Sequence, residues 1–201
     1  MILKTMQTKN KKSPQKTKER RKYVALLQGI NVGGNKKVSM ITLCAIFESL
    51  GFDKVRTYIN SGNILFETPI DDMKSLAKNI EDVLRKQLGF SVAVVLRTSE
   101  NIELLNARIP DSFVNNTDQK TDILFLFDEF DSKDSLKLID ASTKVDTLMY
   151  VSGAIIWTID RKQYARSGMK KFIGSVLYKN MTARNINTVR KLQQLLNTER
   201  V

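Results

Sequence analysis

The stretch YVALLQGINVGGNKKVSMITLCAIFESLGFDKVRTYINSGNILFE, residues 23–67, decides the fold predicted for this chain. It begins with an apolar run typical of a buried strand, passes through a glycine-rich loop, and then takes the spacing of an amphipathic helix that Ser39 can cap. Two more strand-like runs, 54–59 and 64–67, flank the turn Asn-Ser-Gly-Asn, which is typical of a hairpin. The pattern therefore predicts strand, helix, strand, strand.

The following residues complete a unit of six elements. Asp71 and Asp72 favour a helix start, apolar residues then recur on one face, and Gly89 ends the helical pattern. The run SVAVVLR, residues 91–97, has the composition of another strand. The order βαββαβ is that of the ferredoxin-like fold. We therefore expect residues 23–98 to form a first, ferredoxin-like lobe with an antiparallel sheet.

Residues 99–201 are predicted to form a second, smaller α+β lobe with two C-terminal helices. Its predicted strands are 121–127, 146–151 and 154–159, and its predicted short helices are 99–106 and 135–140. The two C-terminal helices are indicated by apolar residues at helical spacing: Met169, Phe172, Ile173, Val176 and Leu177, then Ile186, Val189, Leu192, Leu195 and Leu196. No internal repeat is apparent. The expected fold class is therefore α+β with two lobes.

Positive charge is concentrated at the two ends of the chain. The formal net charge is +12, and residues 1–22 carry nine Lys/Arg against one Glu, while residues 161–201 carry ten against one. Residues 1–22 have no aromatic residue and no apolar periodicity after Met6, so they cannot bury enough surface to offset the entropy of ordering. We expect a disordered basic tail, which is either functional or only an upstream-start extension.

The composition excludes several kinds of chemistry. The chain has no histidine, which removes Ser-His-Asp triads, imidazole acid–base catalysis and most zinc sites. Its single cysteine, Cys44, cannot form an internal disulfide, which fits a reducing, cytoplasmic location. No apolar run is long enough to span a membrane. We therefore expect no metal, no cofactor and no membrane partner.

The loop GINVGGNKK, residues 29–37, follows a predicted strand and precedes a helix, which is a place where backbone amides can bind an anion. Gly29 and Gly34 have the spacing of a Walker A loop, but Asn35 displaces the lysine to Lys36 and no hydroxyl residue follows it. The loop therefore does not fit a P-loop ATPase. The alternative to an anion site is a loop whose glycines only supply positive φ angles.

The segments VALLQGINVGGNKKVSM, TYINSGNILFE, VLRT and TARNINTV, taken in this order and spacing, resemble a bacterial family known as domain of unknown function 1697. The resemblance covers about residues 23–196, and members of the family typically carry arginine at the position of Gln28. It implies a two-lobed α+β fold without an established activity. It also implies a candidate ligand-binding surface at Asn31, Gly33, Gly34, Lys37, Ser61, Asn63, Arg97, Arg184 and Asn185.

These side chains supply hydrogen-bond donors and positive charge, but no ready nucleophile or general base. We expect a small anion, phosphate- or nucleotide-like, to bind where the glycine-rich loop, Arg97 and residues 182–188 meet in one pocket. The structural alternatives are turn and capping chemistry for the asparagines and ion pairs for the arginines. The functional alternative is a nucleic-acid-binding module that uses residues 1–22 and 161–201. The sequence leaves open both enzymatic activity and oligomeric state.

Overall fold

The structure is a computed structural model, and it describes residues 19–33, 36–142 and 144–198. Most of the predicted tail, residues 1–18, lies outside these ranges. The end of the predicted tail belongs to the fold, because the first strand already begins at Arg21.

The first lobe has the predicted βαββαβ element order. It consists of β1 (Arg21–Leu27), α1 (Met40–Ser49), β2 (Asp53–Tyr58), β3 (Asn63–Thr68), α2 (Met73–Leu88) and β4 (Val94–Thr98). Its strands form one antiparallel sheet in the order β2-β3-β1-β4. The predicted helix boundaries have the expected local causes. Ser39 and Asp72 cap α1 and α2, and Gly89 ends α2 in the left-handed conformation, with φ of 78°.

The second lobe also has a four-stranded antiparallel sheet. Helix α3 (Ser99–Arg108) leads into it, followed by β5 (Gln119–Leu126), two 3₁₀ turns (Asp128–Phe130 and Lys133–Leu138), β6 (Thr147–Val151), β7 (Ala154–Asp160), a third 3₁₀ turn (Arg161–Arg166), α4 (Met169–Phe172), α5 (Val176–Lys179), β8 (Met181–Asn185) and α6 (Ile186–Asn197). Its strand order is β6-β7-β5-β8. The second lobe thus has as many strands as the first.

The prediction of two C-terminal helices is only half right. Helix α6 is present, but the first predicted helix, with apolar positions from Met169 to Leu177, is interrupted and forms only the single turns α4 and α5. Gly174, with φ of 92°, separates the two turns. The sequence pattern does not predict β8, which lies between the two predicted helices and completes the sheet by pairing with β5.

The two lobes repeat one topology, although no internal repeat is apparent in the sequence. The strand order of the second sheet is that of the first with every strand number raised by four. Each sheet is followed by a helix, α3 after β4 and α6 after β8. The hairpins also correspond, because Ser61-Gly62 precedes β3 and Ser152-Gly153 precedes β7. The repeat is thus one of element order and strand pairing.

One shared core joins the lobes. Val24 and Leu26 of β1 and Ile123 and Phe125 of β5 enter it, together with buried residues of α3 and α6. Each such side chain stabilises the fold by roughly 1.5–3 kcal/mol relative to exposure. The opposite faces of the sheets bury separate clusters, under α1 and α2 in the first lobe and under α4 and α5 in the second. The central strands β1 and β5 are therefore buried on both faces. Within the described ranges, every helix is too short or too polar to cross a membrane.

Candidate functional site

Arg184, in β8, is buried between the lobes with 7% of its surface exposed. Its five N–H groups donate to Asn63 Oδ1 (2.5 Å), Thr182 Oγ1 (2.8 Å), and the carbonyl oxygens of Ala183 (2.8 Å), Leu27 (3.0 Å) and Gly62 (3.3 Å). Three of these five acceptors belong to the first lobe. Because a guanidinium has five N–H donors, Arg184 keeps none for a ligand and acts as a cross-link between the lobes.

Arg97, in β4, makes the equivalent contact in the opposite direction. It is 8% exposed, and its Nη2 donates to the carbonyl oxygens of Leu126 and Gly153 in the second lobe, both at 2.7 Å. In the repeated topology these two residues correspond to Leu27 and Gly62, the carbonyl partners of the other arginine. Each lobe therefore extends one arginine into the other, and we call Arg97 and Arg184 the exchanged arginines.

Burial governs the electrostatics of the exchanged arginines. It lowers the pKa of Arg184 to about 10, so this side chain is still a cation at neutral pH. Burial also lowers the pKa of Arg97, against the opposing effect of the carboxylates of Asp131 and Asp128. Backbone carbonyl dipoles supply most of the contacts to both guanidinium groups. Both arginines consequently have a structural role that requires the planar guanidinium group. The ammonium group of a lysine could not make the same set of hydrogen bonds.

Asn31 closes the glycine-rich loop on itself. Its side-chain amide donates to the carbonyl oxygens of Val38 (2.9 Å) and Asn60 (3.0 Å), and its Oδ1 accepts from the Val38 N–H (2.8 Å). Asn31 has φ of 56° and Gly33 has φ of 61°, so the loop does use left-handed backbone. The Asn31 side chain therefore stabilises the conformation of the loop. Gly34 lies outside the described residues.

The other predicted polar residues have local structural partners. Asn63 donates to Ser61 Oγ at 2.9 Å and to the Tyr58 carbonyl oxygen at 3.0 Å within the β2–β3 hairpin. Asn185 caps α6 by accepting from the Thr188 N–H at 2.9 Å. These contacts are the turn and capping chemistry that the sequence left open as alternatives to ligand binding.

A concave surface with positively charged lining lies where the glycine-rich loop meets β8. We call it the basic cleft; its volume is about 430 Å³, and it is lined by Gln28, Gly29, Val32, Lys36, Tyr178, Lys179, Met181, Thr182, Ala183 and Arg184. Three of these residues are cations, and none is an acid. The Lys36 Nζ donates to the Ser91 carbonyl oxygen at 3.0 Å and lies 5.5 Å from the centre of the Phe90 ring, which orients its side chain.

Gln28 bridges the two sides of the basic cleft. Its Nε2 donates to the carbonyl oxygens of Lys179 (3.1 Å) and Met181 (2.6 Å), so it connects the end of β1 to the start of β8. The amide makes this bridge without adding a charge.

A second concave surface occupies the equivalent place in the repeat. We call it the mixed cleft; its volume is about 550 Å³, and its lining includes Arg97, Phe127, Asp128, Glu129, Lys74, Lys78, Glu81 and Lys179. Residues from the end of β5 and from β4 form it, as residues from the end of β1 and from β8 form the basic cleft. Its lining contains both acidic and basic side chains, so it lacks the single sign of charge of the basic cleft.

The structure therefore brings together only part of the predicted surface. The glycine-rich loop and residues 182–184 meet in the basic cleft, whereas Arg97 lines the mixed cleft. Lys37 is exposed and does not line the basic cleft. The expectation of one pocket holding the loop and both arginines is thus not met, because the repeated topology assigns one exchanged arginine to each cleft.

Sequence reasoning missed Lys179 and Tyr178. Both lie in α5, a single turn at the end of the first predicted C-terminal helix, beyond its last apolar position at Leu177. The helix prediction gave no reason to place either residue beside the glycine-rich loop. A break at Gly174, which has no side chain to pack in a helix, is the one local signal of the change in chain direction.

The fold and its clefts define an α+β protein with two topologically equivalent lobes, a shared core and a basic cleft between the lobes. The chain belongs to the family described as Protein of unknown function (DUF1697), which matches residues 20–157. This family covers all of the first lobe and the second lobe as far as the middle of β7.

Among solved structures, the conserved bacterial protein SP0830 from Streptococcus pneumoniae is similar to this chain, with a TM-score of 0.77 and 28% identity over 89% of this chain and 100% of that chain. A small subunit of acetolactate synthase from Thermotoga maritima aligns with 18% identity over 83% of this chain and 97% of that chain. Its TM-score of 0.23 is too low to support any argument. No curated protein matches the chain.

Proposed function

We propose that this protein binds a small phosphate-bearing anion in the basic cleft. The observation that carries the proposal is that both lobes contribute cations to one concave surface, Lys36 from the first and Lys179 and Arg184 from the second, without a carboxylate in its lining. The cleft volume of about 430 Å³ is in the range of small-molecule sites, roughly 300–1,000 Å³.

The three cations would contribute in different ways. Lys36 and Lys179 are exposed, and each ammonium has three donors, so it can also donate to phosphate oxygens. Arg184 has all five donors engaged within the protein and adds only its positive potential. A cleft lined by one sign of charge raises the local concentration of oppositely charged ligands, which favours an anion over a neutral molecule.

The nucleic-acid alternative has less support. An RNA-recognition sheet presents one open face to the bases, but both faces of the first sheet are buried, one under α1 and α2 and the other in the shared core. The basic residues 1–18 lie outside the described ranges and add no structural argument.

Titration calorimetry with pyrophosphate at low ionic strength tests the proposal. Lys36→Met and Lys179→Met each remove one cleft cation while keeping an unbranched side chain, and Lys37→Met is the matched control because this neighbour lies outside the cleft lining. We expect saturable binding that weakens about fivefold in each cleft variant, corresponding to about 1 kcal/mol for a partly exposed charge contact, and that stays within twofold in the control.

Absence of binding at millimolar pyrophosphate would reject the proposal. An equal loss in Lys37→Met would also reject it, because binding would then follow surface charge and not the cleft. A short single-stranded oligonucleotide in the same titration separates the two candidate functions: tight oligonucleotide binding that is unaffected by the cleft variants favours the nucleic-acid alternative.

A further inference from the structure

A pocket with aromatic walls lies on the outer face of the second sheet. We call it the aromatic pocket; its volume is about 170 Å³, and it is lined by Lys120, Asp122, Leu124, Trp157, Tyr164, Met169, Phe172, Ile173, Tyr178, Met181 and Ala183. Four of these residues are aromatic. Lys120 and Asp122 form an ion pair on β5, so the pocket combines apolar rings with one donor and one acceptor group.

The aromatic pocket adjoins the basic cleft. Tyr178, Met181 and Ala183 line both. Tyr178 is 39% exposed, and its ring packs nearly perpendicular to that of Phe172, at 87° with 5.8 Å between centroids. The partly exposed ring of Tyr178, packed against Phe172, therefore lies where the basic cleft meets the aromatic pocket.

This juxtaposition matches a ligand with two chemically different ends. Every nucleobase has a flat π-face that stacks on aromatic side chains, and its edge carries hydrogen-bond donors and acceptors that an ammonium and a carboxylate can satisfy. Building on the anion site proposed above, we propose that the ligand is a nucleotide, with its phosphates in the basic cleft and its base in the aromatic pocket.

The experiment compares ligands that have the same phosphates with and without a base. Titration calorimetry with ADP and with methyl diphosphate, both on the full chain, measures what the base adds. We expect ADP to bind about tenfold more tightly, since stacking on an aromatic side chain typically changes affinity by roughly 5- to 150-fold. Tyr178→Ala and Tyr164→Ala should reduce this ratio to about twofold, while Tyr178→Phe should preserve it.

The variants also show which proposal fails. Tyr164 lines only the aromatic pocket, so Tyr164→Ala should leave methyl diphosphate affinity within twofold, and melting temperatures check that each variant is folded. If methyl diphosphate binds and ADP binds no more tightly, the nucleotide proposal is overturned while the anion site stands. If neither ligand binds, both proposals are wrong.

Discussion

At the scale of single residues, the exchanged arginines show what sequence can and cannot indicate. The family resemblance implies that Arg97 and Arg184 belong to a ligand-binding surface, and arginine is a common anion ligand. Instead, most of their partners are backbone carbonyl oxygens of the chain itself. A carbonyl is present at every residue and leaves no mark in the sequence, so this role could not be predicted.

Loss of Arg184 should strongly destabilise the fold. Arg184→Leu leaves five acceptors without their donor, most of them buried, and we expect the free energy of unfolding to fall by about 3–4 kcal/mol. Arg184→Lys should recover less than half of this loss, because an ammonium has three donors and no planar fork. Urea unfolding measures both values.

The matched control for this experiment is Arg166→Leu, at an exposed arginine, which should change stability by no more than about 0.5 kcal/mol. Arg97→Leu should cost less than Arg184→Leu, because Arg97 makes three hydrogen bonds to protein oxygens and Arg184 makes five. A loss below 1 kcal/mol for Arg184→Leu would contradict the cross-linking role. Because of this destabilisation, arginine variants are unsuitable as binding tests.

At the scale of elements, the sequence predicts helix positions well where apolar periodicity and capping residues agree. Helix α2 has sixteen residues, an Asp72 cap and a glycine end, so its signals reinforce one another. The segment containing α4, α5 and β8 has four- and five-residue elements, each too short to show a period. The basic cleft depends on this segment, and therefore its lining could not be assembled from the sequence.

The two hairpin glycines should tolerate substitution poorly. A Cβ at Gly153 (φ 86°) would lie 2.8 Å from Arg97 Nε, and one at Gly62 (φ 71°) would lie 2.8 Å from Ile30 Cδ1. We expect Gly153→Ala and Gly62→Ala to destabilise the protein by about 2–4 kcal/mol, combining left-handed strain with overpacking.

Gly89→Ala separates these two contributions. Gly89 has φ of 78°, but a Cβ there would meet no atom within 4 Å, so only the backbone strain of about 1 kcal/mol should remain. Thermal or urea unfolding of the three variants tests the comparison. Equal losses at all three positions would show that the contacts around the hairpins are loose enough to accommodate a methyl group.

At the scale of the whole molecule, the shared core makes the two lobes one cooperative unit. The core contains side chains from both central strands and from α3 and α6, and exposing the half that belongs to one lobe would leave a large apolar surface in water. The lobe boundary predicted at residue 98 divides the elements along the chain. It does not divide the shared core, which contains residues from both lobes.

Unfolding should therefore be a single transition. The chain has one tryptophan, Trp157, which is fully buried in the second sheet and reports on that lobe, whereas far-UV circular dichroism reports on all helices. We expect the two signals to coincide in urea, and Arg97→Leu, in the first lobe, to shift both midpoints equally. Helical signal that persists after the tryptophan transition would show that the first lobe is stable alone.

The two clefts occupy matching places in the repeat, yet the loops that border them have opposite charge. Residues 28–37 contain two lysines and no acid, whereas residues 127–134 contain four acids and one lysine. A dimer of identical halves must present two identical openings. In a single polypeptide that contains both halves, the residues of one opening can be substituted without changing the other. The contacts that join the halves then stay the same while the two openings differ in charge.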